Sequence, residues 1–353
     1  MKKIILTGGG TAGHVTPNLA LLPALRDAGF DVAYIGGKDG MEKSLAEGAG
    51  VPFYGISTGK LRRDRLFSPV IIGEIFNAGA GVFDAFKIIR RIKPDVIFSK
   101  GGYVGLPVAK AGFLCRVPVI LHESDMTSGL ANRLGMGFAR AICASFPETM
   151  DTLPPKKAVL TGNPIRRELL EGDPAKGRAL CGFDDDKPFV LVTGGSLGSK
   201  KLNDTLRDAL PLILPHYNIA HLCGRGKLSA APQAGYAPFE FLSADMAHVL
   251  AAAHMIVSRA GANALNEFLA LRKPSLLIPL QNRATRGDQI KNAESFTARR
   301  YALVLEEPLL TPQTLAESLN NLNRRRHEFI TNMENSPLTS AVDEVLKVIV
   351  KYA

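Results

Sequence analysis

Residues 255–280 read MIVSRAGANALNEFLALRKPSLLIPL. Met255–Val257 is an apolar run of buried-strand type, Ser258–Asn263 a turn of small residues, and a helix is expected from about Ala262 to Leu271. Pro274 then leads into a second expected strand, Ser275–Leu280, so the stretch reads as part of an α/β sheet. Gly261 lets the backbone come close to a ligand, and the helix start aims its unpaired N–H groups at the same point. Glu267, about one turn along, offers a carboxylate to hydroxyl groups. Together they suit a ligand with phosphate at one end and sugar at the other. The alternative is an ordinary strand–turn–helix with Glu267 a solvated helix residue.

The rest of the chain decides between these readings. A length of 353 residues suggests two domains, at roughly 150 residues each. Hydrophobic residues at 46% and charged residues at 22% are those of an ordinary soluble globular protein. No uncharged apolar run reaches the ~18–20 residues that span a bilayer, and no signal-peptide pattern follows Met1-Lys2-Lys3. Cys115, Cys143, Cys181 and Cys223 are scattered without C-x-x-C spacing, which predicts reduced core thiols of a cytoplasmic protein. A net charge of +10 points to an acidic partner: nucleic acid, an anionic membrane surface or a phosphorylated substrate.

At the N-terminus, Lys3–Thr7 is an expected strand, TGGGTAGH (7–14) the loop after it, and a helix is predicted from about Pro17 to Ala28. Gly8, Gly10 and Gly13 satisfy G-x-G-x-x-G. The acidic residue that a dinucleotide site needs beyond the next strand is missing, since Asp31–Ile35 runs into Gly36-Gly37-Lys38 and Asp39 is a poor substitute. His14, whose ordinary pKa is near neutrality, is a candidate base, or else a helix-start histidine that only bonds its loop.

Lys60–Lys93 is the oddest composition. Lys60, Arg62, Arg63, Arg65, Lys87, Arg90, Arg91 and Lys93 outnumber Asp64, Glu74 and Asp84, and stand among Leu66, Phe67, Val70, Ile71, Ile72, Ile75 and Phe76. That mixture suits a protein resting on an anionic bilayer, or a core element with a charged rim. A helix is expected over Val82–Lys93. Strands are expected at Asp95–Ser99, before Lys100-Gly101-Gly102-Tyr103, and at Val117–Leu121, before His122-Glu123-Ser124-Asp125. Glycine-rich or polar residues thus recur at the carboxyl ends of strands, where open α/β sheets bind ligands. Ile142–Ser145 and Lys157–Leu160 close this half, and TGNPIRR (161–167) links it to the next.

The second half restarts the pattern: strand Phe189–Val192, loop TGGSLGS (193–199), helix Leu202–Leu210. Ile219–Cys223 and Glu240–Leu242 are expected as short strands. Asp184-Asp185-Asp186 looks like a D-x-D metal run but precedes its strand, opposite the glycine loops, and is expected as a surface turn. RATRGDQIKN (283–292) sets Arg286, Asp288 and Gln289 just beyond a strand end. A closing helix over Thr339–Tyr352, with Val342, Val345, Leu346 and Ile349 on one face, is expected to pack back across the domains.

TGGGTAGHVTPNLAL, SKGGY, LHESD, TGNPIR, GGSLGSKKLN, SRAGANALNEF and RGDQIKNAESF follow one another in the order and spacing of one family. From residue 3 into the final helix, the chain resembles the MurG-type glycosyltransferases. These are the UDP-N-acetylglucosamine–N-acetylmuramyl-(pentapeptide) pyrophosphoryl-undecaprenol N-acetylglucosamine transferases of peptidoglycan synthesis, and the resemblance is to their low-GC Gram-positive branch. It implies an α/β fold of GT-B type: two Rossmann-like, doubly wound parallel-sheet domains facing across a cleft. Residues 1–162 would form the acceptor and membrane-facing domain, 163–338 the UDP-GlcNAc-binding domain, and 339–353 a helix packing back toward the first.

The resemblance further implies roles residue by residue. Arg166 and Ser196 would contact the UDP moiety, the backbone near Leu242 and Ser243 the uracil, and Ala262, Asn263, Ala264 and Leu265 the diphosphate. Glu267 would take the ribose hydroxyls, and Asp288 and Gln289 the GlcNAc ring. Thr11, Ala12 and Gly13, with Gly101, Gly102 and Tyr103, would face the reacting sugar and the acceptor diphosphate. Asp125 stands where many members have the Asn of HEQN, and Ala12 where glycine is frequent; the first departure weakens a sugar contact.

The implied reaction is one in-line displacement with inversion at C1, onto the C4 hydroxyl of undecaprenyl-diphospho-MurNAc-pentapeptide. His14 is the favoured base, with Glu123 and Asp125 next. Helix starts and glycine-loop amides would stabilise departing UDP with no metal or cofactor. The expected setting is the cytoplasmic face of the cell membrane, bound peripherally through Arg62, Arg63, Arg65, Leu66, Phe67, Ile71, Ile72, Ile75 and Phe76. Other cell-wall synthesis proteins are expected partners, and nucleic acid is not. The competing readings are an NAD-type oxidoreductase, a nucleic-acid binder, and a related enzyme with a diacylglycerol acceptor.

Overall fold

The computed structural model describes residues 1–59, 70–195, 197–281, 287–336, 338 and 341–353, with residues 12 and 70–75 described by backbone alone. The chain divides into two compact units, Met1–Arg166 with Ser340–Ala353, and Arg167–Thr339.

The first unit holds seven strands: β1 (Lys2–Thr7), β2 (Phe30–Gly37), β3 (Phe53–Ile56), β4 (Val96–Ser99), β5 (Val119–Glu123), β6 (Ala141–Ala144) and β7 (Ala158–Leu160). They run parallel in the order β3-β2-β1-β4-β5-β6-β7. The second holds β8 (Phe189–Thr193), β9 (Asn218–Leu222), β10 (Tyr236–Phe239), β11 (Met255–Ser258), β12 (Ser275–Leu277) and β13 (Ala302–Val304), parallel in the order β10-β9-β8-β11-β12-β13. Every residue of β4, β5, β8, β9 and β11 is buried, so these strands need helices over both sheet faces, and near-continuous apolar runs supply that. In each sheet the strand order turns round beside its first strand, between β1 and β4 and between β8 and β11. Crevices at such switch points are where open α/β sheets take ligands.

The closing helix is Ala341–Tyr352, and its Val345, Val348 and Ile349 share one core with Leu22, Leu25 and Phe30 of the first unit. Lys2 Nζ also donates to the carbonyl of Ala353 at 3.0 Å.

Several expected elements shift. The helix expected at Pro17 starts at Ala12, so His14 lies in its first turn; it ends at Ala20, and a second helix, Leu22–Asp27, follows with Pro23 in its opening turn. Proline has no N–H to donate, which favours a fresh helix start there. The strand expected at Glu240–Leu242 is instead Tyr236–Phe239, whose Pro238 obscured it; this is an edge strand, where proline is tolerated. The helix expected from Val82 starts at Val70 and runs to Ile92. β3, β13 and the long helix Pro312–Glu334 had no counterpart in the sequence reading.

Candidate functional site

At the carboxyl edge of the first sheet, the loop after β1 is packed from beneath. A Cβ on Gly8 would fall 2.7 Å from the carbonyl oxygen of His14, one on Gly9 inside the Glu42 carboxylate, and one on Gly10 2.6 Å from the Tyr103 ring. Gly8 and Gly10 also hold positive φ, at 151° and 90°, and at Gly10 a side chain would be strained as well as crowded. Glycine at positions 8, 9 and 10 is therefore demanded by the protein's own packing. Glu42, fully buried, accepts the Gly37 N–H at 2.8 Å, at the end of β2 where a dinucleotide's ribose acid is expected.

His14 is half-buried, with Nδ1 3.2 Å from both Thr11 Oγ1 and the Gly9 carbonyl. With the proton on Nδ1 and donated to Gly9, the Nε2 lone pair is the basic one. A Cβ on Gly102 would lie 3.3 Å from His14 Nδ1, so this histidine stands directly against the loop Gly101–Tyr103 after β4. Gly101 and Gly102 both have positive φ, and the helix Gly102–Leu114 begins there.

Glu123, at the end of β5, is buried and fully engaged. Its Oε1 accepts the Asp125 N–H, and its Oε2 accepts from the Gly129 N–H and from Asn132 Nδ2 at 2.9 Å. Burial pushes its carboxyl up to about 7, with those hydrogen bonds pulling the other way. Asp125 is half-buried on the turn that follows. Beside it lies a residue that sequence reasoning passed over: Lys100, fully buried, whose ammonium reaches His122 Nδ1 at 2.8 Å, Ser124 Oγ and Asn163 Oδ1 at 2.7 Å.

The second sheet builds a more open edge. The loop Thr193–Ser199 leads into the helix Lys200–Ile213, capped by Ser199, whose Oγ accepts the Leu202 N–H and a bond from Arg259 at 2.7 Å. Arg259 is buried, also bonds the Ile278 carbonyl and pairs with Glu307, so it locks the β11 turn onto the neighbouring strands. None of the described residues lies within 4 Å of a Cβ built on Gly195, Gly261 or Gly287. The helix Ala262–Ala270 starts at Gly261; Ala262 and Leu265 face inward, while Asn263, Ala264 and Glu267 are half-exposed on one side. Asp288 opens the helix Asp288–Ala298, and Gln289 Oε1 accepts the Leu280 N–H at 2.9 Å. Leu242 and Ser243 follow the carboxyl end of β10.

The structure thus gathers Thr11, Gly13, His14, Gly101, Gly102, Tyr103, Glu123 and Asp125 at one sheet edge. It places Leu242, Ser243, Ala262–Leu265, Glu267, Asp288 and Gln289 at the corresponding edge of the other. Arg166 is exposed and ends the first unit. Ser196, Arg62, Arg63, Arg65, Leu66 and Phe67 lie outside the described residues, as do the side chains of Ala12, Ile71, Ile72 and Ile75. Among the described residues, no three His, Cys, Asp or Glu side chains gather as metal ligands, and Asp185 accepts from Asn218 and pairs with Lys187 at the surface turn.

Two family models match: the N-terminal domain of glycosyltransferase family 28 over residues 4–144, and its C-terminal domain over 189–348. The chain belongs to glycosyltransferase family 28. Within it, the UDP-N-acetylglucosamine–N-acetylmuramyl-(pentapeptide) pyrophosphoryl-undecaprenol N-acetylglucosamine transferase of Lachnospira eligens is 50% identical over 351 residues, 99% of each chain. The enzyme of the same name from Clostridium tetani is 48% identical over 353 residues, 99% of this chain and 98% of that one. The crystal structure of Acinetobacter baumannii MurG aligns with a TM-score of 0.79 at 26% identity, covering 99% of this chain and all of that one. The family 28 chain is accordingly an α/β protein of GT-B class and an N-acetylglucosamine transferase of MurG type.

Proposed function

We infer that the protein moves N-acetylglucosamine from UDP-GlcNAc to the C4 hydroxyl of undecaprenyl-diphospho-MurNAc-pentapeptide, the acceptor that its relatives' names describe. The acceptor oxygen attacks C1 from the face opposite UDP; the C1–O bond to UDP breaks, and configuration inverts. The hydroxyl proton passes to His14 Nε2. Glu123 is a poorer base because both its oxygens are bound within its own loop. UDP leaves with the electron pair of the C1–O bond, and the start of the helix Ala262–Ala270 and the loop Thr193–Ser199 meet the negative charge that develops on its diphosphate with backbone N–H groups, without a metal. Glu267 takes the ribose, Asp288 and Gln289 the sugar, and Leu242 and Ser243 the uracil. Arg166 and Ser196 hold UDP, and Gly101, Gly102 and Tyr103 hold the acceptor diphosphate.

The observation that carries this reading is His14 set against the Gly101–Tyr103 loop, which brings a base beside an anion-type turn. The test is transfer of labelled sugar to a short-chain polyprenyl-diphospho-MurNAc-pentapeptide, alongside thermal shifts with UDP-GlcNAc, UDP-GalNAc and NADH. Transfer, with stabilisation selective for UDP-GlcNAc, is expected. No transfer, or stabilisation by NADH alone, contradicts it.

The acceptor's lipid keeps it in the bilayer, since each CH₂ brought into water costs about 0.8 kcal/mol. No helix among the described residues is long and apolar enough to cross a membrane. The enzyme works at the membrane surface, on its cytoplasmic face, held peripherally through the Lys60–Lys93 stretch. Support comes from the helix Val70–Ile92: Phe76 and Phe83 are 76% and 59% exposed, Lys87 Nζ lies 4.2 Å from the Phe83 ring centroid, and Arg90 stands over Phe86. Exposed Phe113 and Leu114 beside Arg116 extend the same mixture. Salt-sensitive binding to anionic vesicles, weakened by charge reversal at Arg62, Arg63 and Arg65, is expected. Equal binding to neutral vesicles contradicts it. Other cell-wall synthesis proteins fit this position as partners, and nucleic acid does not.

A further inference from the structure

Lys100 is the first residue beyond β4 and only 1% exposed. Its N–H donates to the Thr7 carbonyl at 2.9 Å, fixing it to the end of β1. Its ammonium spends its protons on three acceptors: His122 Nδ1 from β5, Ser124 Oγ from the turn after β5, and Asn163 Oδ1 from the corner after β7. His122 Nε2 in turn lies 2.9 Å from the Gly162 carbonyl, which puts the ring proton on Nε2 and leaves Nδ1 to accept from Lys100. Burial, and the Lys100 charge beside it, hold His122 well below its ordinary pKa, consistent with that neutral ring.

One residue therefore joins the ends of β1, β4, β5 and β7, the first by its backbone N–H and the last two by its side chain, while its chain continues into Gly101–Tyr103. An apolar side chain of similar length would avoid the cost of burying a charge, but would take the donor away from three acceptors, His122 Nδ1, Ser124 Oγ and Asn163 Oδ1. The ammonium is thus there for the three acceptors it holds together, not to fill space.

We propose that Lys100 is a positioning residue for glycosyl transfer: its ammonium locks the Ser124–Asp125 turn and the Gly162–Asn163 corner onto the Gly101–Tyr103 loop. Acceptor diphosphate, C4 hydroxyl and base then meet in one rigid frame. This rests on the proposed assignment of that loop to the acceptor. The groups whose charge bears on Lys100 are Glu123 and Asp125 from β5 and its turn, Cys143 from β6, and His122. Desolvation brings Lys100 down to about 7. Between that value and the ordinary 10.5, the unfolded chain binds the proton more readily than the folded one. The stability penalty of Lys100 is therefore full below about pH 7 and fades as pH rises toward 10.5.

The test is Lys100→Met in the full chain. Its Tm relative to the wild type should be most favourable at pH 6, where the buried charge costs most, and should become less favourable as pH rises above 7. UDP-GlcNAc affinity should stay within about twofold, while kcat/KM for the short-chain acceptor falls about 10- to 100-fold, the scale of a displaced reactive geometry. Asn163→Ala and Ser124→Ala should move the same parameter by less, and they carry the test if Lys100→Met does not fold. Acceptor kinetics unchanged in Lys100→Met, or in both of the others where it cannot be made, overturn the proposal. So does a loss of acceptor and donor binding together with a lowered Tm, which marks a merely structural role. Absence of transfer by the wild type would instead strike the functional reading itself.

Discussion

The two glycine loops, Gly8–Gly13 and Gly194–Ser199, open the same strand–loop–helix unit yet are built to opposite ends. In the first, added methyl groups would strike the His14 carbonyl, the Glu42 carboxylate and the Tyr103 ring, so the loop is packed by the protein itself. In the second, Gly194 is crowded by Ser199 and Gly198 by the backbone of Cys223 and Gly224, while a Cβ on Gly195 or Gly261 would meet none of the described residues within 4 Å. Repetition of one motif has yielded a wall that holds reactive side chains still and a cradle that leaves room for a ligand. Glycine content alone does not distinguish them; what stands within 4 Å does.

The largest test of that difference is at the wall. His14→Ala should lower kcat by roughly 10²–10⁴-fold and leave UDP binding nearly intact. A variant keeping a third of wild-type turnover would remove His14 from its role. At the cradle, Glu267→Ala should cost on the order of 1–3 kcal/mol of donor affinity, the value of hydrogen bonds to a charged group. Unchanged UDP-GlcNAc affinity in both Glu267→Ala and Gln289→Ala, measured by calorimetry, would break the assignment. The sharpest pairing sets one glycine against another. Gly10→Ala, at φ 90° and facing the Tyr103 ring, should destabilise the fold by about 1–3 kcal/mol in denaturant titrations. Gly261→Ala, at φ −72° with none of the described residues within 4 Å of the added methyl, should leave stability within about 0.5 kcal/mol and raise the donor Kd. Equal stability losses at both positions would erase the distinction.

Most of the architecture was legible because it is written in apolar runs and breakers. Met255–Ser258 and Phe189–Thr193 are continuous apolar strands, and the loops after them carry their glycines in plain view. β10 was not, because YAPF is short and carries a proline, and the polar-flanked run just beyond it looked more strand-like. On the site, His14 and Glu267 stood out as titratable groups beside glycine turns. Lys100, Glu42, Asn132 and Arg259 did not, for a physical reason: each packs against residues far away in sequence. Lys100 meets Asn163, Asn132 would collide with a Cβ on Gly101, and Arg259 meets Glu307. A lysine before two glycines reads as a solvated loop charge until the fold shows that no water reaches it.

The second unit's open loops are expected to hold the nucleotide, and the first unit's packed loop is not. Backbone hydrogen exchange with and without UDP tests it most directly. Slowed exchange is expected in 193–199 and 260–267, with 8–14 unchanged. Protection concentrated in 8–14, with 193–199 and 260–267 unaffected, would contradict it.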